Sequence, residues 1–490
     1  MTGSDRWESG RKDRLDLLPA KPVAADHSIG FRSVDREHEN EPIEVDGRVP
    51  EWLDGSLVRN GPGRFDVGGS RLEHWFDGLA MLTRFRFDGG SVRYSNRFLR
   101  SAEYRAVTSG GRIAASQFGT SRRGLLDRLL EAVAPTPTDN ANVNVVRIGD
   151  RFVAITETQI GIEFDPTTLE TIGRYRFPDL RGQMMTAHPH VDPLRRETVT
   201  FATEFGRQSR YRIYRCSDGS ERFDTIGSLS TRRPSYVHSF GLTGRYVVLV
   251  EFPFDVRPWE LLIPGSESFI ERYRWRPEVG TRFVVVDRET GQIVTERIGE
   301  AFFAFHHVNA FEDRDAVVVD IAAFDDPGVI ESLYLEELVS GGLPEIEGEL
   351  RRYRLPLDSG AIERESIVPT GVTLPRISPT RNTRPYRFAY AQGTPVPAEE
   401  LPQRLLKIDL EARSTQRWSD HRTLCGEPVF VPRPGATRED DGIVLSVVLE
   451  AAADRSALLV LDGQTFDEVG RAPLPHVVPF DFHGRFFEEI

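Results

Sequence analysis

Eleven histidines occur in the chain, and six of them fall into four short motifs. His188 and His190 lie in TAHPHVDP, His238 in YVHSFGLT, His306 and His307 in FAFHHVNAFE, and His483 in PFDFHGRF. Each motif borders a strand-like run. With one histidine taken per motif (188, 238, 306 and 483), the successive gaps are 50, 68 and 177 residues. Imidazole is a ligand for iron, copper, zinc and nickel, so four that meet at one point would hold a metal whose identity the ligand type leaves open. Any one of these histidines alone reads more simply as an ordinary core or surface residue; it is the matched spacing that argues for a shared role. Two motifs leave a choice between neighbours, His188 or His190 and His306 or His307. In extended chain adjacent side chains alternate faces, so His306 and His307 do not both point inward, and spacing does not say which one does. His27, His38, His74 and His421 have no comparable surroundings and are expected to be structural or exposed.

The elements that would position these histidines are short strands. From about Ile43 onward β-rich runs such as RFRFDGGSVRY, FGLTGRYVVLVE and FEDRDAVVVDIA alternate with Asp/Gly turns. One unit recurs, in which an apolar strand ends in Asp, turns, and a second strand leaves: IEFDPTTLETIGRYRF, FVVVDRETGQIVTERI, RLPLDSGAIERE, LKIDLEARSTQRW and LVLDGQTFDEVGRAPL. Copies about 50 to 120 residues apart fit the blades of a β-propeller, a fold that buries many short strands while leaving only short edges. The histidine gaps then correspond to one blade, one long blade and about three, and equivalent positions in successive blades converge on the axis. The pattern predicts an all-β propeller without fixing the blade count, with a pair of β-sandwiches as the competing fold. Residues 1–40 read as a polar lead-in and 41–490 as one propeller domain. The clearest helix is SRRGLLDRLLEAVAP, residues 121–135, where Leu125, Leu126, Leu129, Leu130 and Val133 recur at helical spacing before Pro135.

Composition narrows the function. The chain has 490 residues, 39% hydrophobic and 10% aromatic, enough for a large core. A net charge of −13 argues against nucleic acid as a partner. Arginine supplies 59 of the 62 basic residues; the lysines are Lys12, Lys21 and Lys407. Two cysteines, Cys216 and Cys425, are too few for a disulfide framework or a structural zinc cluster and fit a reducing compartment. The first twenty residues show no apolar signal core, and no run is long enough to span a bilayer. The expected location is the cytoplasm, extending to peripheral contact with the inner face of the membrane.

The stretches RNGPGRFDVGG, HWFDGLAML, TDNANVNV, TETQIGIEFDPTTLETI, TAHPHVDP, PSYVHSFGLT, FHHVNAFED, RRYRLPL, GEPVFVPRPGATREDDGIVLSVV and FHGRF, in this order from Arg59 to Phe486, resemble the signature segments of the carotenoid cleavage oxygenases. The branch they resemble most holds the animal carotene oxygenases and the retinoid isomerase of the visual cycle. The resemblance implies a seven-bladed β-propeller with a helical and loop cap over an iron-bearing face. Carried over motif by motif, it implies an Fe(2+) site of His188, His238, His306 and His483, dioxygen as co-substrate, and oxidative cleavage of a carotenoid or apocarotenoid double bond to aldehydes of the retinal type. It also implies outer glutamates that hold the ligands: Glu157 and Glu427 match two, and Thr373 in GVTLPRIS stands where a third is expected. Threonine accepts an imidazole N–H but brings no charge, and loss of an outer partner costs about 10–100-fold in metal affinity or activity. Phe305 is expected to wall a substrate tunnel. Residues 121–135 are expected to contact a membrane surface, with a packed cap helix as the plainer reading, and the aromatic-rich stretch 252–275 to line the entrance. Three other readings remain. Cleavage of a hydroxystilbene-like phenylpropanoid would use a lysine and a tyrosine, and no lysine lies between 21 and 407. Retinoid ester isomerisation belongs to a narrow animal subgroup. A non-catalytic, pigment-binding propeller is suggested by Thr373.

Overall fold

A computed structural model of the protein describes residues 27–121, 137–263, 267–340, 348–394 and 403–490. The helix expected over 121–135 therefore lies, from residue 122 onward, outside the described residues. The rest folds as a seven-bladed β-propeller. Seven antiparallel sheets of four to six strands follow one another along the chain, with two small two-stranded ribbons beside them among the described residues. Blade I holds Gly55–Arg64, Leu79–Asp88 and Ser91–Phe98. Blade II spans Asn144–Ile148 to Thr171–Arg176, blade III Met184–Met185 to Asp224–Thr231, and blade IV Gly241–Leu242 to Ile293–Gly299. Blade V spans Phe303–Asp313 to Glu363–Val368, blade VI Val372–Ile377 to Ser414–Ser419, and blade VII Leu424–Cys425 to Glu468–Pro473.

Burial explains the sequence pattern of these strands. Middle strands such as YVVLVE (Tyr246–Glu251) and AVVVDIAAF (Ala316–Phe324) are buried at every residue, because neighbouring blades cover both faces. Outer strands such as Thr171–Arg176 alternate, with only Tyr175 fully buried. The recurring Asp unit is the turn into the outer strand. The Oδ1 of Asp165, Asp287, Asp409 and Asp462 each accepts two backbone N–H groups, from the residues two and three positions on, at 2.8–3.1 Å. Four residues after each Asp the chain takes positive φ, at Leu169, Gly291, Arg413 and Phe466. The repeat legible in the sequence is thus a hydrogen-bonded Asx turn used in blades II, IV, VI and VII.

The two ends of the chain close the ring twice. The last strand, His483–Phe487, pairs antiparallel with Gly55–Arg64, placing His483 opposite Asn60 in blade I. Asp46–Gly47 in turn adds to Glu468–Pro473 of blade VII. His38–Ile43, which straddles the expected boundary at residue 40, forms the outer edge of blade I, and Phe31 is fully buried before it. On the face that carries the histidines, the short turns Pro258–Leu262 and Ile270–Arg272 and the helices Gly328–Glu331 and Leu335–Ser340 contribute to a cap. No helix among the described residues is long and apolar enough to cross a membrane.

Candidate metal centre and its cavity

Residues at or near the beginnings of the inner strands of several blades gather around the axis. Four of these residues are His188, His238, His306 and His483, each offering one ring nitrogen, and those atoms all lie within 4.8 Å of one another. His188 Nε2 is 2.8 Å from His238 Nε2, and His306 Nε2 is 3.3 Å from His483 Nε2. The two choices left by spacing resolve by contact. His190 turns aside, with Nε2 2.8 Å from the Phe240 carbonyl and Nδ1 3.1 Å from Asn382 Oδ1. His307 points away from His306 and meets Ser239 Oγ at 2.8 Å through Nδ1. The Ser239 hydroxyl donates to the Phe305 carbonyl at 2.6 Å, so His307 Nδ1–H is the donor in that pair. His27, His38 and His74 serve packing and hydrogen bonding, and His421 is exposed.

Carboxylates fix two of the rings. Glu157 Oε1 accepts from His238 Nδ1 at 2.7 Å, and both its oxygens accept from the Tyr236 hydroxyl at 3.0 Å. Glu427 Oε1 accepts from His483 Nδ1 at 2.7 Å, while its Oε2 accepts from the Gly484 amide at 3.1 Å. Each carboxylate holds the proton on Nδ1 and leaves the Nε2 lone pair directed at the shared centre. Burial would raise the Glu427 carboxyl, but Arg376, His483 and Arg59 outweigh it and hold the group down at about 2. Burial, reinforced by the neighbouring rings and Arg376, pushes His188 and His306 well below the ordinary histidine value, so both are neutral donors. Four imidazoles whose ring nitrogens converge suit a divalent transition metal.

Thr373 lies at the start of the inner strand of blade VI, and its hydroxyl donates to Gln392 Oε1 at 3.1 Å. Gln392 Nε2 in turn donates to the Cys425 carbonyl at 2.6 Å. Sequence reasoning missed Arg59. This fully buried guanidinium donates through Nε to Asp481 at 2.8 Å and also pairs with Glu427, tying blade I to both carboxylates behind His483. Arg376 reaches the same Glu427 at 3.4 Å. The available signal was a lone arginine inside the apolar run SLVRNGP and an aspartate two residues before His483. Gly484 lets this network close, since a Cβ there would lie 2.5 Å from Arg59 Cδ and 2.6 Å from the Val58 carbonyl oxygen.

Above the cluster is a cavity of about 1030 Å³ that His238, His306 and His483 help to line. Its inner wall is aromatic. Phe305 stands 5.5 Å from the His238 ring and 6.1 Å from the His306 ring, and packs edge-on to Phe76 and Phe324. Residues 257–263 and 267–272 contribute to its outer part, and Trp259, Leu262 and Ile263 are 56%, 53% and 46% exposed there.

Fold and site together define a propeller protein with an axial all-imidazole cluster, able to hold a metal, at the foot of a large apolar cavity. The chain belongs to the carotenoid cleavage oxygenase family: the family model described as retinal pigment epithelial membrane protein matches residues 31–488. The chain is 32% identical over 509 residues to the mitochondrial carotenoid-cleaving dioxygenase of Macaca fascicularis, with 90% of each chain covered. To the chloroplastic carotenoid cleavage dioxygenase 8 of Arabidopsis thaliana it is 31% identical, covering 93% of this chain and 85% of the relative. The crystal structure of cobalt-substituted Synechocystis apocarotenoid oxygenase superposes with a TM-score of 0.84 at 27% identity, covering 94% of this chain and 98% of that one.

Proposed function

We propose that the protein is an iron(II)-dependent dioxygenase that cleaves one double bond of a carotenoid or apocarotenoid, the alkene and dioxygen giving two carbonyl products. The observation that carries this reading is the convergence of four imidazole donors on the floor of an apolar cavity. His188, His238, His306 and His483 would hold the iron, and all four donors coming from protein leaves positions open on the cavity side. When bound, iron(II) supplies the dioxygen chemistry.

The remaining work belongs to the chain. Glu157 and Glu427 keep His238 and His483 in the tautomer that presents Nε2, and Arg59 and Arg376 keep Glu427 ionised. Phe305, Phe76 and Phe324 exclude water and give a flat, apolar wall against which a polyene lies. Lys407, the one lysine among the described residues, is buried against Asp440 at 2.9 Å and takes no part in the cavity wall, which disfavours the phenylpropanoid reading. Residues 121–135 and the exposed Trp259, Leu262 and Ile263 at the cavity's outer edge would rest on a membrane surface, from which a water-insoluble polyene is collected. A cytoplasmic protein contacting the inner membrane face fits this arrangement.

Incubation of iron-loaded protein with β-carotene and with apocarotenals, followed by chromatography, is expected to yield paired aldehydes. Polyene that binds and is recovered intact would replace this reading with a pigment-binding propeller whose centre lacks the charge a glutamate at position 373 would bring.

A further inference from the structure

The cavity wall differs in character between the blade VII side and the side of blades III and IV. On the blade VII side its wall is Cys425, Val447, Val448, Leu449 and Val478, which offers no charged group to an occupant. On the side of blades III and IV the wall carries five guanidinium groups, from Arg207, Arg232, Arg233, Arg257 and Arg272. The lining carboxylates do not balance them. Glu157 is engaged by His238 and Asp481 by Arg59, which leaves Glu267 on that rim among the described residues, and it pairs with Arg274 at 3.2 Å. Arg233 reaches Asp255 at 3.4 Å, a carboxylate that Arg276 also holds, and Arg257 reaches Glu260 at 3.8 Å. Arg272 donates to the main-chain oxygens of Glu260 and Glu267. Arg207 and Arg232 are exposed and form no ion pair among the described residues.

An apolar polyene has no use for such a rim, but a polyene with an anion at one end does. Resting on the cleavage reading above, we infer that the rim of Arg207, Arg232 and Arg233 selects an asymmetric substrate, an apocarotenoid whose end group is a carboxylate. The hydrocarbon end lies against the blade VII wall and the carboxylate on the rim. Guanidinium–carboxylate pairing is directional and often bidentate, so it fixes which end of the substrate lies on the rim and hence which double bond stands over the histidines. The rim residues act on binding and register and do not touch the reacting bond.

The test is quenching of tryptophan fluorescence in the full-length protein, titrated in neutral detergent with an apocarotenoid acid and with the aldehyde of equal length. The acid is expected to bind tighter by about fivefold, the scale of partly exposed ion pairs, and raised salt should narrow the gap. Arg207→Gln combined with Arg232→Gln replaces two exposed, unpaired side chains, so folding is not at stake, and should bring the ratio near one. Equal binding of acid and aldehyde to the parent, or a ratio that the double variant leaves unchanged, would overturn the inference. A double variant that floats less with anionic vesicles while keeping its acid preference would assign the arginines to lipid headgroups and overturn it equally. Product analysis of the same samples separates the two claims: selective acid binding without cleavage refutes the dioxygenase reading and supports the rim.

Discussion

The side chains behind the ligands decide how well the cluster works. Glu157 and Glu427 each fix an Nδ1–H, so Glu157→Ala or Glu427→Ala should lower iron affinity by roughly 10–100-fold, measured as metal content after dialysis against graded chelator. Thr373 differs in that its hydroxyl is engaged with Gln392. Thr373→Glu should retain or raise iron affinity by adding negative charge to the cavity wall that Thr373 shares with the cluster; a large drop would show that the pocket is built around the Thr373–Gln392 pair. Arg59 bears on stability. Its removal leaves Asp481 buried without its counter-ion and Glu427 with only the longer contact to Arg376, so Arg59→Met should destabilise by about 3–5 kcal/mol in chemical denaturation. The histidine motifs were legible because each sits in a distinctive local string, whereas Glu157 and Glu427 were legible only through the family resemblance of theirs. Arg59 was not, since its partner Asp481 lies 422 residues away and only ring closure brings them together. The same holds for the choice between His306 and His307. Alternation said that the two diverge, but which one faces the axis depends on Ser239 in the next blade.

At the scale of elements, the Asp-turn repeat read from sequence is the outer hairpin of four blades, and its physical cause is local: one carboxylate capping two amides before a residue of positive φ. The edges of the propeller were harder to read. The strand His38–Ile43 lies in a polar segment without apolar alternation, because only His38 is buried along it. The cap is assembled from short turns with no period at all. Its exposed residues make the membrane reading testable without recourse to residues 121–135. Trp259→Asp with Leu262→Asp should lower flotation with anionic liposomes, since each buried apolar side chain contributes at most roughly 1.5–3 kcal/mol. Leu126→Asp with Leu130→Asp should do the same and slow cleavage of liposome-held substrate while sparing detergent-dispersed substrate. Equal loss of both activities would mean that the segment is packing and not a membrane contact.

For the whole molecule, the four clustered histidines come from blades III, IV and V and from the C-terminal strand that completes blade I, so a metal held by them would link its binding to ring closure. Any ligand that binds only the folded state stabilises it, by about 2.7 kcal/mol at a hundredfold excess over Kd. Iron should therefore raise the melting temperature of the parent and leave that of His483→Ala unchanged. The seven-bladed ring itself was legible as a propeller from repeat spacing and as seven blades from resemblance, whereas the double closure by Asp46–Gly47 and His483–Phe487 required the structure. We propose the axial cluster of His188, His238, His306 and His483 as the iron site where polyene is cleaved. The most direct measurement is iron content together with aldehyde yield in parent, His306→Ala and His307→Ala proteins. About one iron per chain is expected in the parent and in His307→Ala, and His306→Ala should lose both iron and product. Full iron and full activity in His306→Ala, with loss in His307→Ala, would contradict the account.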